Sequence, residues 1–89
     1  MGINAVFEAL SHPVRRKVLS LLQKGPLNAG DIATHFDIAK PTLSVHLAKL
    51  KEAELVSVER QGTSLIYHLN MSILEEALSG FLSFKEQDK

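Results

Sequence analysis

The sequence contains no cysteine. That excludes disulfides, thiolate metal sites and a cysteine nucleophile together, and it suits a reducing cytoplasm. It also has no apolar run near the roughly 18 residues that a membrane span requires. No basic-then-apolar leader opens the chain, and Val6 stands where a myristoylation signal has Ser or Thr. A soluble, cytoplasmic protein is expected. Net charge is absent too, because ten basic side chains offset ten acidic ones. A neutral total argues at first against nucleic acid, but its distribution argues otherwise. Residues 11–51 hold seven bases (Arg15, Arg16, Lys17, Lys24, Lys40, Lys49, Lys51) against two acids (Asp31, Asp37), whereas residues 52–89 hold three bases against seven acids. A basic half beside an acidic half can present a positive patch on a neutral molecule, although mixed charge is common on any surface.

What is present fits one small domain spanning residues 1–89. A chain of 89 residues buries only about 60 to 65% of its unfolded surface, so a dimer interface would add core. With 45% hydrophobic and 22% charged residues the composition is that of a globular protein, and disorder is expected only over Lys85–Lys89. No internal repeat, low-complexity segment or domain linker is visible.

The stretch Ala29–Lys51 reads as two short helices joined by a tight corner, together spanning about residues 29–53. Ile32, Ala33, Phe36, Ile38, Leu43, Leu47 and Leu50 are expected to face inward, and Lys40, Thr42, Ser44, Val45, His46 and Lys49 outward. This is a helix-turn-helix pattern, whose second helix must offer side chains able to reach base edges and phosphates. Asn28 suits the N-cap of the first motif helix, with Asp31 in its first turn and its end near Phe36. Asp37 is expected to take positive φ at the corner, and Lys40-Pro41 to open the second helix.

Before the motif, Ile3, Val6, Phe7 and Leu10 fall at i, i+3, i+4 and i+7, the pattern of a short helix over about residues 3–10. Ser11 or His12 can cap the next helix, with Pro13 in its first turn and Gly25-Pro26 at its end. Its basic triplet, Arg15 to Lys17, could touch a DNA backbone or form a solvated face. After the motif, Val56 and Val58, then Leu65, Tyr67 and Leu69, alternate with other residues around Arg60-Gln61-Gly62-Thr63, which predicts a hairpin over about residues 55–69. A hairpin directly after a recognition helix is a wing, and its tip residues Arg60 and Gln61 would lie beside a minor groove. Otherwise Arg60 is an ordinary loop arginine.

Ser72 and Glu75 match a capping box for a last helix over about residues 71–84. Its stripe of Ile73, Leu74, Ala77, Leu78, Phe81, Leu82 and Phe84 is broader than one small subunit can cover. Together with the first helix it implies a twofold interface built from Ile3, Val6, Phe7, Leu10, Leu74, Leu78, Phe81 and Leu82. Gly80 within it implies either a close helix crossing or fraying. The expected fold is mainly α with a small β-hairpin: four helices, the hairpin and a fifth helix, a winged helix-turn-helix in a homodimer.

These elements and the phrases within them resemble the ArsR family of winged-helix repressors. The phrases are Leu10-Ser-His-Pro-Val-Arg-Arg-Lys-Val-Leu19, Gly30-Asp-Ile-Ala33, Lys40-Pro-Thr-Leu-Ser-Val-His-Leu-Ala-Lys-Leu50, Arg60-Gln-Gly-Thr and Tyr67-His-Leu. The brevity and metal-poor composition look most like the SdpR-type autorepressor branch. The resemblance implies a homodimer that binds a palindromic operator on double-stranded DNA and blocks transcription. Ser44 and His46 match the family pattern and are expected to lead the base or phosphate contacts. Two residues depart from it: Ala39 replaces a capping serine, and Val45 replaces a polar reader with a side chain suited to a thymine methyl.

Many such repressors release DNA on binding metal through motif-helix cysteines or an Asp/His set on the last helix. Asn28-Ala-Gly-Asp31 occupies the first place and residues 71–89 contain no histidine, so no metal site and no cofactor are expected. Asp31 and His35 could share a metal on one helix face, but two ligands rarely make a selective site. The branch implies sequestration by a membrane-protein partner. Three other readings are a metal- or ligand-responsive repressor, a winged-helix protein-interaction module and an enzyme. A docking face would carry a large apolar anchor, which the outward row lacks beyond Val45. An enzyme would need a nucleophile, a base and an orienting group together, and none is visible.

Overall fold

The computed structural model describes residues 3–87, and the surroundings of their side chains as far as Ser83. Its elements run α1 (Ile3–Leu10), α2 (Pro13–Gln23), β1 (Leu27–Asn28), α3 (Ala29–Ala33), α4 (Lys40–Glu52), β2 (Val56–Gln61), β3 (Ser64–Leu69) and α5 (Met71–Gln87). Phe84 lies outside the described side chains. Of the tail expected to be disordered, Lys85 to Gln87 continue α5, while Asp88 and Lys89 lie outside the described residues.

The first two helices are joined by polar groups of the second. Helix α1 has no basic residue in its last turn, where free carbonyls favour positive charge. Helix α2 supplies it: Arg15 Nε donates to the Ala9 carbonyl at 2.7 Å and Arg16 Nη1 to that of Leu10 at 2.6 Å. Helix α2 itself starts on His12, whose ring nitrogen accepts from Val14 N, with Pro13 in the first turn where no amide is missed. Val18, Leu19 and Leu22 then enter the core beside Val6 and Ala9 of α1.

Asn28 caps α3 as its sequence position predicts, its Oδ1 accepting from Asp31 N at 2.7 Å. The α-helix stops at Ala33, three residues short of the expected end. His35 N donates to the Ile32 carbonyl and Phe36 N to that of Ala33, so the chain tightens over its last turn. Asp37 does not take positive φ. The corner is made instead by extended Ala39, at φ −65 and ψ 145, followed by Pro41 in the first turn of α4. Ile38 is 37% exposed rather than inward, because it lies in this corner outside both helices.

Among the described residues, the left-handed non-glycine residue is Glu54, at φ 60 just beyond α4. Glu54 N donates to the Lys51 carbonyl and Leu55 N to the Leu50 carbonyl, the paired bonds of a Schellman motif. Leu50 and Leu55 are both fully buried, which supplies the hydrophobic contact across that motif. The chain therefore turns sharply into the wing. Strands β2 and β3 pair antiparallel from Val56↔Leu69 to Gln61↔Ser64, with Gly62 at φ 64 in the two-residue turn.

A third strand, not foreseen, extends the wing into a sheet of order β1-β3-β2, with Leu27 opposite Tyr67 and Asn28 opposite Ile66. Helix α5 begins at Met71, so Ser72 is its second residue and not its cap. Ser72 Oγ donates to Asn70 Oδ1, and Asn70 Nδ2 reaches back to the Glu54 carbonyl. The capping box is replaced by a tie between the start of α5 and the end of α4.

Val6 lies wholly in the core, and Leu10 and Leu74 pack against that core. Val6 therefore belongs to the subunit interior and not to an outer seam, while Leu10 and Leu74 are half-buried. The radius of gyration is 14.1 Å, with extents 51 × 24 × 21 Å. A compact domain of this length would have about 12 Å. Helix α5 carries Leu78, Phe81 and Leu82 exposed, with Met71 and Ile3 also exposed. A Cβ at Gly80 would meet nothing within 4 Å, so no close crossing occurs there within the subunit.

Candidate nucleic-acid interface

Helix α4 buries Leu43, His46, Leu47 and Leu50. At about 3.6 residues per turn, the opposite side is centred on Pro41, Val45 and Ala48. Ser44 and Lys40 flank that line on one side, and Lys49 and Thr42 on the other. All seven are exposed, Val45 at 56%. The structure therefore leaves Lys40, Thr42, Ser44, Val45 and Lys49 on the exposed side of α4, with Val45 near its middle and Lys40 and Thr42 on its opposite margins. Ala39 gives α4 no side-chain cap, which leaves amides of the first turn free beside Lys40 and Thr42.

Histidine 46 is not on that side. It is 8% exposed, and Arg15 Nη1, itself on a residue 7% exposed, lies 3.0 Å from its Nδ1. Its ring also lies 4.3 Å from the ring of His12. Burial first, then His12 and Arg15, hold its pKa below the ordinary histidine value of 6.5, so the ring is neutral at neutral pH. The expected base-reading role is corrected to an internal one. A signal existed in the sequence: Leu43, His46, Leu47 and Leu50 are spaced i, i+3, i+4 and i+7 like any core stripe.

The basic triplet of α2 is likewise internal or tied down. Arg15 is the buried partner of His46, Arg16 holds Leu10, and Lys17 Nζ donates to the His35 carbonyl at 3.0 Å while lying 5.0 Å over the Phe36 ring. Three of the seven cations in the basic half therefore serve the fold. The positive groups of the outer face come from α4 and the wing.

On the wing, Arg60 and Gln61 are exposed at the end of β2, and Arg60 Nε donates to the Gly62 carbonyl at 3.3 Å. That bond folds the arginine over the turn and keeps its charge at the tip. His68 pairs with Glu59 at 3.1 Å across the strands, an exposed contact of small energetic weight. Asp31 and His35 no longer share a helix face, since α3 ends between them. Among the described residues, no group of three or more His, Asp or Glu side chains is placed to hold a metal, and no helix is long and apolar enough to cross a membrane.

Comparison with known proteins agrees with this fold. Residues 12–58 match the family described as bacterial regulatory protein, arsR family. The chain is 48% identical over 82 residues to the transcriptional repressor SdpR of Bacillus subtilis, covering 92% of this chain and 91% of that one. It is 37% identical over 73 residues to an arsenical resistance operon repressor of Staphylococcus xylosus, covering 82% and 70%. Among solved structures, it superposes on an ArsR family transcriptional regulator with TM-score 0.85 at 27% identity, covering 94% of this chain and 86% of that one. A possible transcriptional regulator for arsenical resistance matches with TM-score 0.78 at 32% identity, over 86% and 80%.

Proposed function

Because the chain belongs to the ArsR family of bacterial regulatory proteins and is a DNA-binding transcriptional repressor of winged helix-turn-helix form, not an enzyme, we propose that it works as a cytoplasmic homodimer occluding a palindromic operator. Residues 1–89 act as one unit. In each subunit the α4 ridge enters the major groove. Val45 meets a thymine methyl, Ser44 and Thr42 reach base edges or phosphates, and Lys40 and Lys49 neutralise phosphates. Arg60 and Gln61 lie along the neighbouring minor groove.

The observation that carries the proposal is the pairing of two exposed surfaces of opposite character on one subunit. One is the polar α4 ridge beside a cationic wing tip. The other is the apolar strip of Ile3, Leu78, Phe81 and Leu82 on α1 and α5. Left bare, the strip favours association, and closing it on a twofold axis yields two recognition helices, which palindromic DNA requires about 34 Å apart. A sequestering membrane-protein partner rests on resemblance alone and forms no part of the proposal.

Selection of bound duplexes from random DNA, followed by titration at several salt concentrations, tests it. Enrichment of an inverted repeat and a log-affinity slope of about −7 to −9 against log salt are expected. Weak binding, flat with salt and indifferent to sequence, would contradict the proposal.

A further inference from the structure

The Arg15 guanidinium joins three segments. Its Nε and Nη2 donate to the carbonyls of Ala9 and Glu8 at the end of α1, at 2.7 and 3.1 Å, and its Nη1 lies 3.0 Å from Nδ1 of His46 on α4. Arginine stays charged and offers only donors, so the bond requires Nδ1 of His46 to be the unprotonated nitrogen, with the ring hydrogen on Nε2. Protonation of His46 would set one N–H against another and place a second cation beside a buried guanidinium. We propose that Arg15 and His46 form a proton-sensitive latch that sets the pose of the recognition helix against α1, so that acidification releases the protein from its operator. The proposal rests on the operator-binding reading above. It adds that one side chain, Arg15, ties the helix that reads DNA to a helix contributing to the apolar seam.

The groups around the latch do not oppose it. From α2 come Arg15 and His12, both of which disfavour a charged His46, while Arg16 and Lys17 are held by the carbonyls of Leu10 and His35. The one charged residue of α1 is Glu8. Arg15 holds its carbonyl, and its residue lines a surface crevice with Lys49 and Glu52 of α4. On β2, Glu59 bonds His68 and Arg60 bonds the Gly62 carbonyl. Among the described residues, no carboxylate is hydrogen-bonded to the His46 ring. The depressed basicity of His46 agrees with a latch that is closed at neutral pH and opens below the ordinary histidine value of 6.5.

The sign of the effect separates the latch from ordinary electrostatics. Protonation of an exposed histidine adds positive charge and strengthens binding to phosphates, whereas opening the latch weakens it. The experiment measures affinity of the full chain for a duplex selected from random DNA at about pH 7.5, and follows it to about pH 5.5 at fixed ionic strength. Wild type is expected to lose roughly tenfold or more in affinity, with helical content retained by circular dichroism. His46→Gln keeps an acceptor for Arg15 that does not titrate, and its affinity is expected to stay level or rise over the same range.

Wild-type affinity that holds or rises on acidification, an equal loss in His46→Gln, or global unfolding before release would each overturn the latch. Absence of tight, selective binding at pH 7.5 would instead remove the operator reading. The latch is then decided without DNA by nitrogen NMR of the imidazole, a measurement that also serves if His46→Gln fails to fold. An Nε2–H tautomer at pH 7.5, with α1 and α4 amides shifting at the ring's own midpoint, is expected. A ring that titrates while those amides stay still would overturn it.

Discussion

The rings of Phe7 and Phe81 meet edge to face, with centroids 5.7 Å apart and planes inclined by 70°. This contact fastens α5 to α1 within one subunit, yet Phe81 remains 53% exposed and Leu82, beside it, 57%. The two helices thus form a prepared surface whose outer side is still apolar. An edge-on aromatic pair contributes about 0.5 to 1.5 kcal/mol beyond the area it buries, enough to orient α5 without covering it.

Leu82→Glu should therefore separate the subunits while leaving each folded. Sedimentation should show a shift to monomer at micromolar concentration, and affinity for the selected operator should fall at least tenfold. Circular dichroism should be little changed, because Leu82 is not among the residues packed on the core.

Base reading and phosphate contact separate along the α4 ridge. Val45→Ala should cost about 1 kcal/mol on the selected operator through lost methyl contact, and little on random duplex. Lys49→Ala should weaken both by similar factors and reduce the salt slope by about 1 for each subunit. Competition titrations with the two duplexes distinguish these outcomes.

Both ends of α4 can be improved. Ala39 already has the extended backbone of an N-cap but no capping group, so Ala39→Ser should add about 1 kcal/mol of stability. Glu54 holds φ 60, where glycine suffers no Cβ clash, so Glu54→Gly should add about 0.5 to 1 kcal/mol. Urea midpoints of the single and double variants test both, and the distance between the sites makes the gains additive.

The burial of His46 also sets an acid limit on stability. Its folded pKa lies below 6.5, the ordinary histidine value that the unfolded chain regains, so between those two values the unfolded chain binds more protons. Stability is then greatest above pH 6.5, declines as pH falls through that value, and loses the whole contribution of this group below the folded pKa. Urea denaturation from pH 7.5 to 5 should show a steeper decline in wild type than in His46→Gln.

Periodicity carried most of the backbone reading. The stripes of α1 and α4, the alternation of the wing, and the cap chemistry of His12 and Asn28 were legible because each involves residues within one or two turns of each other. What escaped involves partners far apart in the chain. Arg15 and His46 are 31 positions apart, so nothing local marked the arginine as internal, and charge alone placed it outside. Strand β1 is two residues long and exists only because Tyr67 and Ile66 lie opposite it. At the ends of α4, Asp37 was the better intrinsic candidate for positive φ. Extended Ala39 before Pro41 makes that corner without it, and the left-handed non-glycine residue is Glu54 at the other end, in a Schellman motif. The outer side of α4 is legible in the sequence except at His46, whose polarity points outward while its spacing with Leu43, Leu47 and Leu50 points inward.

The most direct test of a paired grip on DNA is the spacing between operator half-sites. Inserting about five base pairs at the centre of the selected inverted repeat rotates one half-site to the opposite face of the duplex. The account predicts that affinity then falls to that of a single half-site. Unchanged affinity would show that the two recognition helices are not held in one frame and would contradict it.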